Sequence, residues 1–225
     1  MARKLIETGD GSHTLYVEEL DERYHSYHGA IQESKHVFIK SGLHYIIEKQ
    51  PALAPVAILE IGLGTGLNAL LTLIEADVLN KKIEYTAIEA HPLEKSIVDA
   101  LNYVSLLNAQ HYQTYFDKMH ESEWNTKTNL SSNFELDKMH TTLDVAVFET
   151  KYNLIYFDAF GPRVQPEMWT LAVFSKLADS LLLGGCLVTY CAKGEVKRTL
   201  KSAGFIVESI EGPPGKREMV RAIKP

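Results

Sequence analysis

Only two cysteines, Cys186 and Cys191, occur in 225 residues. Both lie in or beside the apolar run Cys186-Leu187-Val188-Thr189-Tyr190-Cys191. That placement fits buried thiols and argues against a disulfide framework, a cysteine metal site or redox chemistry. No uncharged apolar stretch approaches the roughly 20 residues needed to cross a bilayer, so no membrane association is expected. The start, Met1 to Glu7, lacks the apolar run of a signal peptide, which makes a cytoplasmic location the expectation. An excess of basic charge is also missing. Lys and Arg number 23 against 29 Asp and Glu, a net charge of -6, unlike a protein that coats nucleic acid nonspecifically. The nine histidines form no cluster with ligand-like spacing, so no metal is implied. Nothing repeats at a fixed period, and no segment is of low complexity.

What is present suits one large α/β domain over residues 1–225, since 45% of the residues are hydrophobic and Gly and Pro usage is ordinary. Residues 1–55 read as an N-terminal extension and 56–225 as a Rossmann-like core. The charge is uneven. From Lys193 to Pro225 there are eight basic and four acidic residues, either an ordinary solvated surface or a local face for RNA phosphates.

Within the extension, Lys4 to Glu7 and Thr14 to Glu18 flank Gly9-Asp10-Gly11-Ser12, which predicts a β-hairpin. Gly29 to Lys49 reads as two short amphipathic helices broken near Ser41-Gly42. From Val56 the pattern is regular. An apolar strand at Val56 to Ile61, a glycine-rich turn, a helix from Leu67 to Leu79 and a strand at Ile83 to Glu89 make a βαβ unit. A helix is expected after Pro92, strands at Tyr152 to Asp158 and Cys186 to Cys191, and helices at Pro166 to Leu182 and Glu195 to Ala203. Such alternation predicts a mostly parallel, doubly wound sheet covered on both faces. Phe205 to Ile210 and Glu218 to Ile223 are joined by too short a turn for anything but an antiparallel pair. Asn102 to Val147 is the least readable region, with one strand expected at Phe134 to His140.

The strongest signal is Glu60-Ile61-Gly62-Leu63-Gly64-Thr65-Gly66, at the end of one strand and the opening of a helix. Glycines there let the backbone turn sharply and let a ligand lie against it. Leu67 stands where a dinucleotide fingerprint wants its third Gly or Ala, which weakens an NAD or FAD reading. S-adenosylmethionine has a zwitterionic end. Backbone N–H groups can serve its carboxylate, and an acid such as Glu60 can hold its ammonium directly or through water. Glu89 ends the second strand, where a carboxylate can accept hydrogen bonds from ribose hydroxyls. A tight structural turn and a solvated strand-end acid are the plainer readings of these two features. Leu154 to Phe157 then delivers Asp158-Ala159-Phe160-Gly161-Pro162 to the same sheet edge. Methyl transfer to nitrogen needs a neutral, oriented amine; Asp158 can orient it and take its proton, and Phe160 can stack on a planar base. The plainer alternative has Asp158 capping a turn and Phe160 in the core.

Several blocks together resemble the MnmC methyltransferase-domain family. They are Tyr27-His28-Gly29-Ala30-Ile31-Gln32-Glu33-Ser34 with His36-Val37-Phe38-Ile39, Gly62-Leu63-Gly64-Thr65-Gly66-Leu67-Asn68, Asp158-Ala159-Phe160-Gly161-Pro162 with Pro166-Glu167-Met168-Trp169-Thr170, and Gly215-Lys216-Arg217-Glu218-Met219. The resemblance implies the class I S-adenosylmethionine-dependent methyltransferase fold, with tRNA as partner and the amine of 5-aminomethyluridine, often 2-thiolated, as methyl acceptor at the wobble position. By position it assigns Asp158 to the acceptor amine and Phe160 to the uracil. It assigns Glu60, Gly62, Gly64, Thr65, Gly66, Asn68 and Glu89 to S-adenosylmethionine. Tyr27, Gln32 and Glu33 are expected at the acceptor entrance, and Lys216 and Arg217 against tRNA phosphates. A family acid near the adenine falls at Thr142, with Asp144 as its substitute. Ala159, Gly161, Gln165 and Gly215 depart from the family's usual residues. The FAD-dependent oxidase activity of bifunctional members is expected to be absent. An aminopropyltransferase of the polyamine-synthase kind, a noncatalytic cofactor- or RNA-binding module and an NAD-dependent oxidoreductase are the competing readings.

Overall fold

Val56-Ala57-Ile58-Leu59-Glu60-Ile61 is buried along almost its whole length, as a strand covered on both faces must be. It forms β4 (Val56–Ile61), near the middle of an eight-stranded sheet. The computed structural model describes residues 2–225. In chain order the sheet contains β4, β5 (Ile83–Glu89), β6 (Lys127–Ser131), β7 (Phe134–His140), β8 (Tyr152–Phe157), β9 (Leu181–Thr189), β10 (Ile206–Glu211) and β11 (Glu218–Ile223). Their order across the sheet is β10-β11-β9-β8-β4-β5-β7-β6. Strands β7, β5, β4, β8 and β9 run parallel. β11 is antiparallel to β9 and to β10, and β6 is antiparallel to β7. The chain turns back across the sheet between β4 and β8, so their carboxyl ends open a crevice at the switch point. Register brings the ends together: Ile61 pairs with Ile88 on one side and Phe157 on the other.

Two cores cover the faces. On one, α3 (Leu67–Val78) and a long N-terminal helix pack Leu70, Leu73, Phe38 and Leu43 against Tyr85, Phe134 and Tyr156. On the other, α7 (Leu171–Ser180) and α8 (Gly194–Ser202) pack Phe174, Leu177, Val196 and Leu200 against Leu59, Ile155 and Leu187. Ahead of these, β1 (Arg3–Glu7), β2 (His13–Val17) and β3 (Glu22–Arg23) form a small antiparallel sheet. It is tied to the region after β5, where Arg3 Nη2 donates to His91 O (2.7 Å) and Tyr103 Oη to His13 O (2.8 Å).

The expected break at Ser41-Gly42 does not occur. Helix α1 (Ala30–Ser34) continues as a π-helical stretch (Lys35–His44) into α2 (Tyr45–Lys49). Gly42 is there for close approach: a Cβ would lie 3.1–3.3 Å from Val188, Tyr156 and Leu154, and π-helical turns often mark such local accommodations. After Pro92 the helix α4 (Lys95–Val98) has only four residues. The expected helix ending at Leu182 stops at Ser180, and β9 begins at Leu181. In the least readable region lie α5 (Tyr103–Leu106), α6 (Gln113–Glu121) and the edge strand β6, whose Lys127-Thr128-Asn129-Leu130-Ser131 buries only Leu130.

Candidate active site

The glycine turn after β4 works through left-handed backbone: Gly62, Gly64 and Gly66 have φ of 90°, 51° and 73°. A Cβ on Gly62 would lie 3.2 Å from Asp158 O, and one on Gly64 would lie 3.2 Å from the Tyr24 ring. The Gly64 N–H donates to Glu89 Oε2 (2.9 Å), and the other Glu89 oxygen accepts from the His91 N–H (2.8 Å). Glu89 thus stands at the turn with its carboxylate toward the backbone. Thr65 is buried, and its hydroxyl donates to Tyr103 Oη at 3.1 Å, since the Tyr103 proton is given to His13 O. Gly66 faces away from the crevice, where a Cβ would meet His120 Nε2 at 2.8 Å; its lack of a side chain lets α3 start against α6.

Beneath the turn, Asn68 on α3 bridges two acids. Its Nδ2 donates to Glu60 Oε1 and to Asp158 Oδ2, both at 2.9 Å. Glu60 is fully buried and does not line the crevice; only Asn68, to which it is bonded, does so. Strand alternation explains this: Glu60 shares a face with Ile58, under α3, not with Leu59 and Ile61. Burial pushes the Glu60 carboxyl well above its usual range, which favours its neutral form. The remaining oxygens of both residues, Glu60 Oε2 and Asn68 Oδ1, are buried without a partner.

The loop after β8 is pinned at three points. Tyr190 Oη donates to Ala159 O (2.9 Å), Trp169 Nε1 to Phe160 O (2.8 Å), and the Phe160 N–H to Gln165 Oε1 (3.1 Å). Asp158 keeps part of its surface toward the crevice while its carboxyl lies deep. Burial and then the nearby Glu33 charge raise its pKa, against the Asn68 hydrogen bond and Lys216, to about 7. Phe160 meets the Tyr24 ring edge-on, with centroids 5.3 Å apart. Glu33 is buried on α1, its Oε2 accepting from the Ser26 N–H (2.7 Å) and its Oε1 from Lys216 Nζ (2.6 Å). Lys216 therefore points inward, not toward a phosphate-binding surface, because the β10–β11 turn folds against His28. Arg217 next to it is exposed.

These groups line one cavity of about 890 Å³, the size of small-ligand sites. Of the sequence candidates, Gly62, Gly64, Thr65, Asn68, Glu89, Asp158, Phe160, Tyr27, Glu33 and Lys216 face it, with Tyr27 at its exposed rim; Glu60, Gly66 and Arg217 do not. Gln32 is also outside it, and Thr142 and Asp144 are on its wall. Sequence reasoning missed Tyr24, Tyr190 and Trp169 as parts of the site. Tyr190 had a signal: it follows β9 at the sheet edge that presents Asp158. The cavity suits S-adenosylmethionine, since the glycine turn offers side-chain-free backbone and Glu89 offers a carboxylate to hydroxyls. Among the described residues, no group of three or more His, Cys, Asp or Glu could hold a metal, and no helix is long and apolar enough to cross a membrane.

Residues 104–225 match the family model described as S-adenosyl-L-methionine-dependent methyltransferase. The chain is 28% identical to the tRNA 5-methylaminomethyl-2-thiouridine biosynthesis bifunctional protein MnmC of Nitrosospira multiformis, over 94% of this chain and 35% of that protein. The Burkholderia thailandensis protein of the same name is 28% identical over 88% of this chain and 31% of its own length. The chain thus spans about a third of the length of these relatives. Among solved structures, MNMC2 from Aquifex aeolicus superposes with a TM-score of 0.79 at 26% identity, covering all of this chain and 71% of that one.

Proposed function

We propose, from the premise that this chain belongs to the S-adenosyl-L-methionine-dependent methyltransferase family and to its MnmC methyltransferase-domain group, that it methylates the primary amine of 5-aminomethyluridine, 2-thiolated or not, at the wobble position of cytoplasmic tRNA. The observation that carries the reading is the deep Asp158 carboxyl, with a pKa near 7, held by Asn68 beside both the glycine turn and Phe160.

Gly62, Gly64, Thr65, Asn68 and Glu89 hold the cofactor in this reading, and Thr142 and Asp144 are available to its adenine. When bound there, S-adenosyl-L-methionine would supply an electrophilic methyl carbon, with the neutral thioether as leaving group. Everything else falls to the chain. Phe160 and Tyr24 present aromatic surface to the uracil, and Tyr27 flanks the entrance. Asp158 accepts a hydrogen bond from the acceptor ammonium and then its proton. An alkylamine has a pKa of about 10.4, so a carboxylate at 3.8 is a poor partner; raising it to about 7 makes it roughly a thousandfold better base. The neutral nitrogen lone pair can then attack. The product departs as a secondary ammonium, which stays protonated at neutral pH, and the proton that Asp158 took passes to solvent, restoring the carboxylate.

The test is modified-nucleoside mass spectrometry of tRNA from cells lacking the gene, before and after incubation with purified protein and S-adenosylmethionine. The expected result is 5-aminomethyluridine or its thio form in the untreated tRNA, converted to the methylated nucleoside by the protein. Absence of the unmethylated nucleoside together with no conversion would refute the substrate assignment.

A further inference from the structure

The turn between β10 and β11 carries a lysine into the acidic end of the cavity. Lys216 Nζ lies 2.6 Å from Glu33 Oε1 and 4.0 Å from the centroid of the Tyr190 ring. A carboxylate beside an aromatic face is the chemistry that binds an ammonium ion, and here the chain's own ammonium occupies it. The arrangement is built. Glu33 is fixed from behind by the Ser26 N–H. Gly215 has a φ of 83°, and a Cβ there would collide with the His28 ring, so the turn sits tightly enough to hold Lys216 in place.

Resting on the reading of Asp158 as the group that receives the acceptor's proton, we infer that Lys216 is a positioning residue of the acceptor site. Its ammonium, held by Glu33 and Tyr190, sets the charge around Asp158 so that an entering alkylammonium gives up its proton instead of staying bound as a cation. Without Lys216, an ammonium would find two carboxylates and an aromatic face, an excellent trap for the unreactive form. With it, one carboxylate is already neutralised, and a fixed positive charge disfavours the protonated amine. The proton passes from the acceptor nitrogen to an Asp158 oxygen.

The titratable groups whose charge reaches Asp158 are Glu33 from α1, Lys216 from the turn, Glu60 from β4, Tyr85 from β5 and Tyr190 after β9. Burial raises the pKa of Glu60, Tyr85 and Tyr190 well above their usual ranges, which favours their neutral forms. The Glu33–Lys216 pair is therefore the charge source that a single substitution can unbalance. Glu33 pushes the Asp158 pKa up and Lys216 pulls it down, so removing one or the other must move it in opposite directions.

The experiment compares wild type, Lys216→Met, Lys216→Arg and Glu33→Gln, where Gln keeps an acceptor for Ser26. Steady-state methylation of aminomethyl-tRNA is measured from pH 5.5 to 9.5, with circular dichroism and cofactor calorimetry as fold controls. Lys216→Met is expected to move the acid limb of kcat up by about half a pH unit or more, with kcat at neutral pH falling several-fold and KM unchanged or lower. Glu33→Gln moves the limb down, and Lys216→Arg restores the wild-type limb. In parallel, benzylamine binding with S-adenosylhomocysteine present is read by calorimetry, and Lys216→Met should bind the benzylammonium about tenfold tighter. A raised KM for tRNA with an unmoved limb overturns the inference and makes Lys216 a phosphate contact. Limbs moving in the same direction, or unchanged benzylammonium affinity, overturn it as well. Wild type that leaves the tRNA unmethylated while Lys216→Met still tightens benzylammonium binding supports the charge-setting role and refutes the tRNA acceptor alone.

Discussion

Asp158→Asn should make the protein more stable while making it a far poorer catalyst. In the unfolded chain an aspartate titrates near 3.8, whereas burial raises Asp158 to about 7 in the fold. Below pH 3.8 the carboxyl is protonated in both states, and its titration costs the fold nothing. As pH rises toward 7 the unfolded chain ionises first, so stability is lost across that interval and stays lost above it. The distance from 3.8 to about 7 corresponds to roughly 4 kcal/mol. Because the carboxyl keeps one side toward the cavity, about half of that, near 2 kcal/mol, is the better figure. Asn has nearly the same shape, and its carbonyl oxygen can still accept from Asn68 Nδ2. For a chain of this length 2 kcal/mol corresponds to roughly 4–8 °C in Tm. Thermal unfolding followed by circular dichroism from pH 4 to 9 should show wild type and Asp158→Asn melting together at pH 4, separating through pH 5 to 7, and then running parallel with the variant higher. Turnover should fall by about 10² to 10⁴. A variant that melts with or below wild type at pH 8 would refute the premise that Asp158 is a desolvated carboxylate held near neutrality.

Gly64→Val places a side chain against Tyr24, and Glu89→Ala removes the carboxylate beside the turn; each should weaken S-adenosylmethionine binding about tenfold or more, roughly 1.5–3 kcal/mol by calorimetry. Trp169→Phe deletes the indole bond to Phe160 O and should lower kcat severalfold through a loosened loop while calorimetry shows unchanged cofactor affinity. Gly42→Ala sets a methyl against Val188, Tyr156 and Leu154 and should cost about 1–3 kcal/mol in chemical denaturation with cofactor affinity unchanged.

The sheet was legible wherever a strand is buried on both faces. Val56 to Ile61 reads as a strand with the bounds it has because a doubly covered strand must be apolar nearly throughout, and Ile83 to Glu89 because buried Ile83, Tyr85 and Ala87 alternate with Glu84 and Thr86. β6 was not legible, since an edge strand that buries only Leu130 leaves no pattern, and its solvent-side Lys127 serves equally well in a loop. The helix through Ser41-Gly42 was misread because glycine breaks an isolated helix yet also permits close packing on a sheet, and only the partner strands decide between the two. Site residues on strand ends could be placed from topology alone. Lys216 could not: its inward direction depends on a turn whose shape is set by His28 packing on Gly215, a contact between segments far apart in the chain.

The cost of this site is concentrated under the glycine turn. Three polar side chains, Glu60, Asn68 and Tyr85, are buried together beneath the carboxyl ends of β4 and β5, with the Tyr85 hydroxyl turned to the Glu60 carboxyl. A buried polar group left with an unmet hydrogen bond costs about 1–3 kcal/mol. Replacing the set by apolar side chains would be a more stable solution for a core. The strands that carry Glu60 and Tyr85 are held by both hydrophobic layers, so the fold tolerates the deficit where it would melt a peripheral element. What this burial supplies is a floor in which Asn68 bridges Glu60 and Asp158 and the carboxyl of Asp158 is desolvated. Exposing the Asp158 carboxyl to solvent would return it toward 3.8, where it is a far weaker base toward an amine.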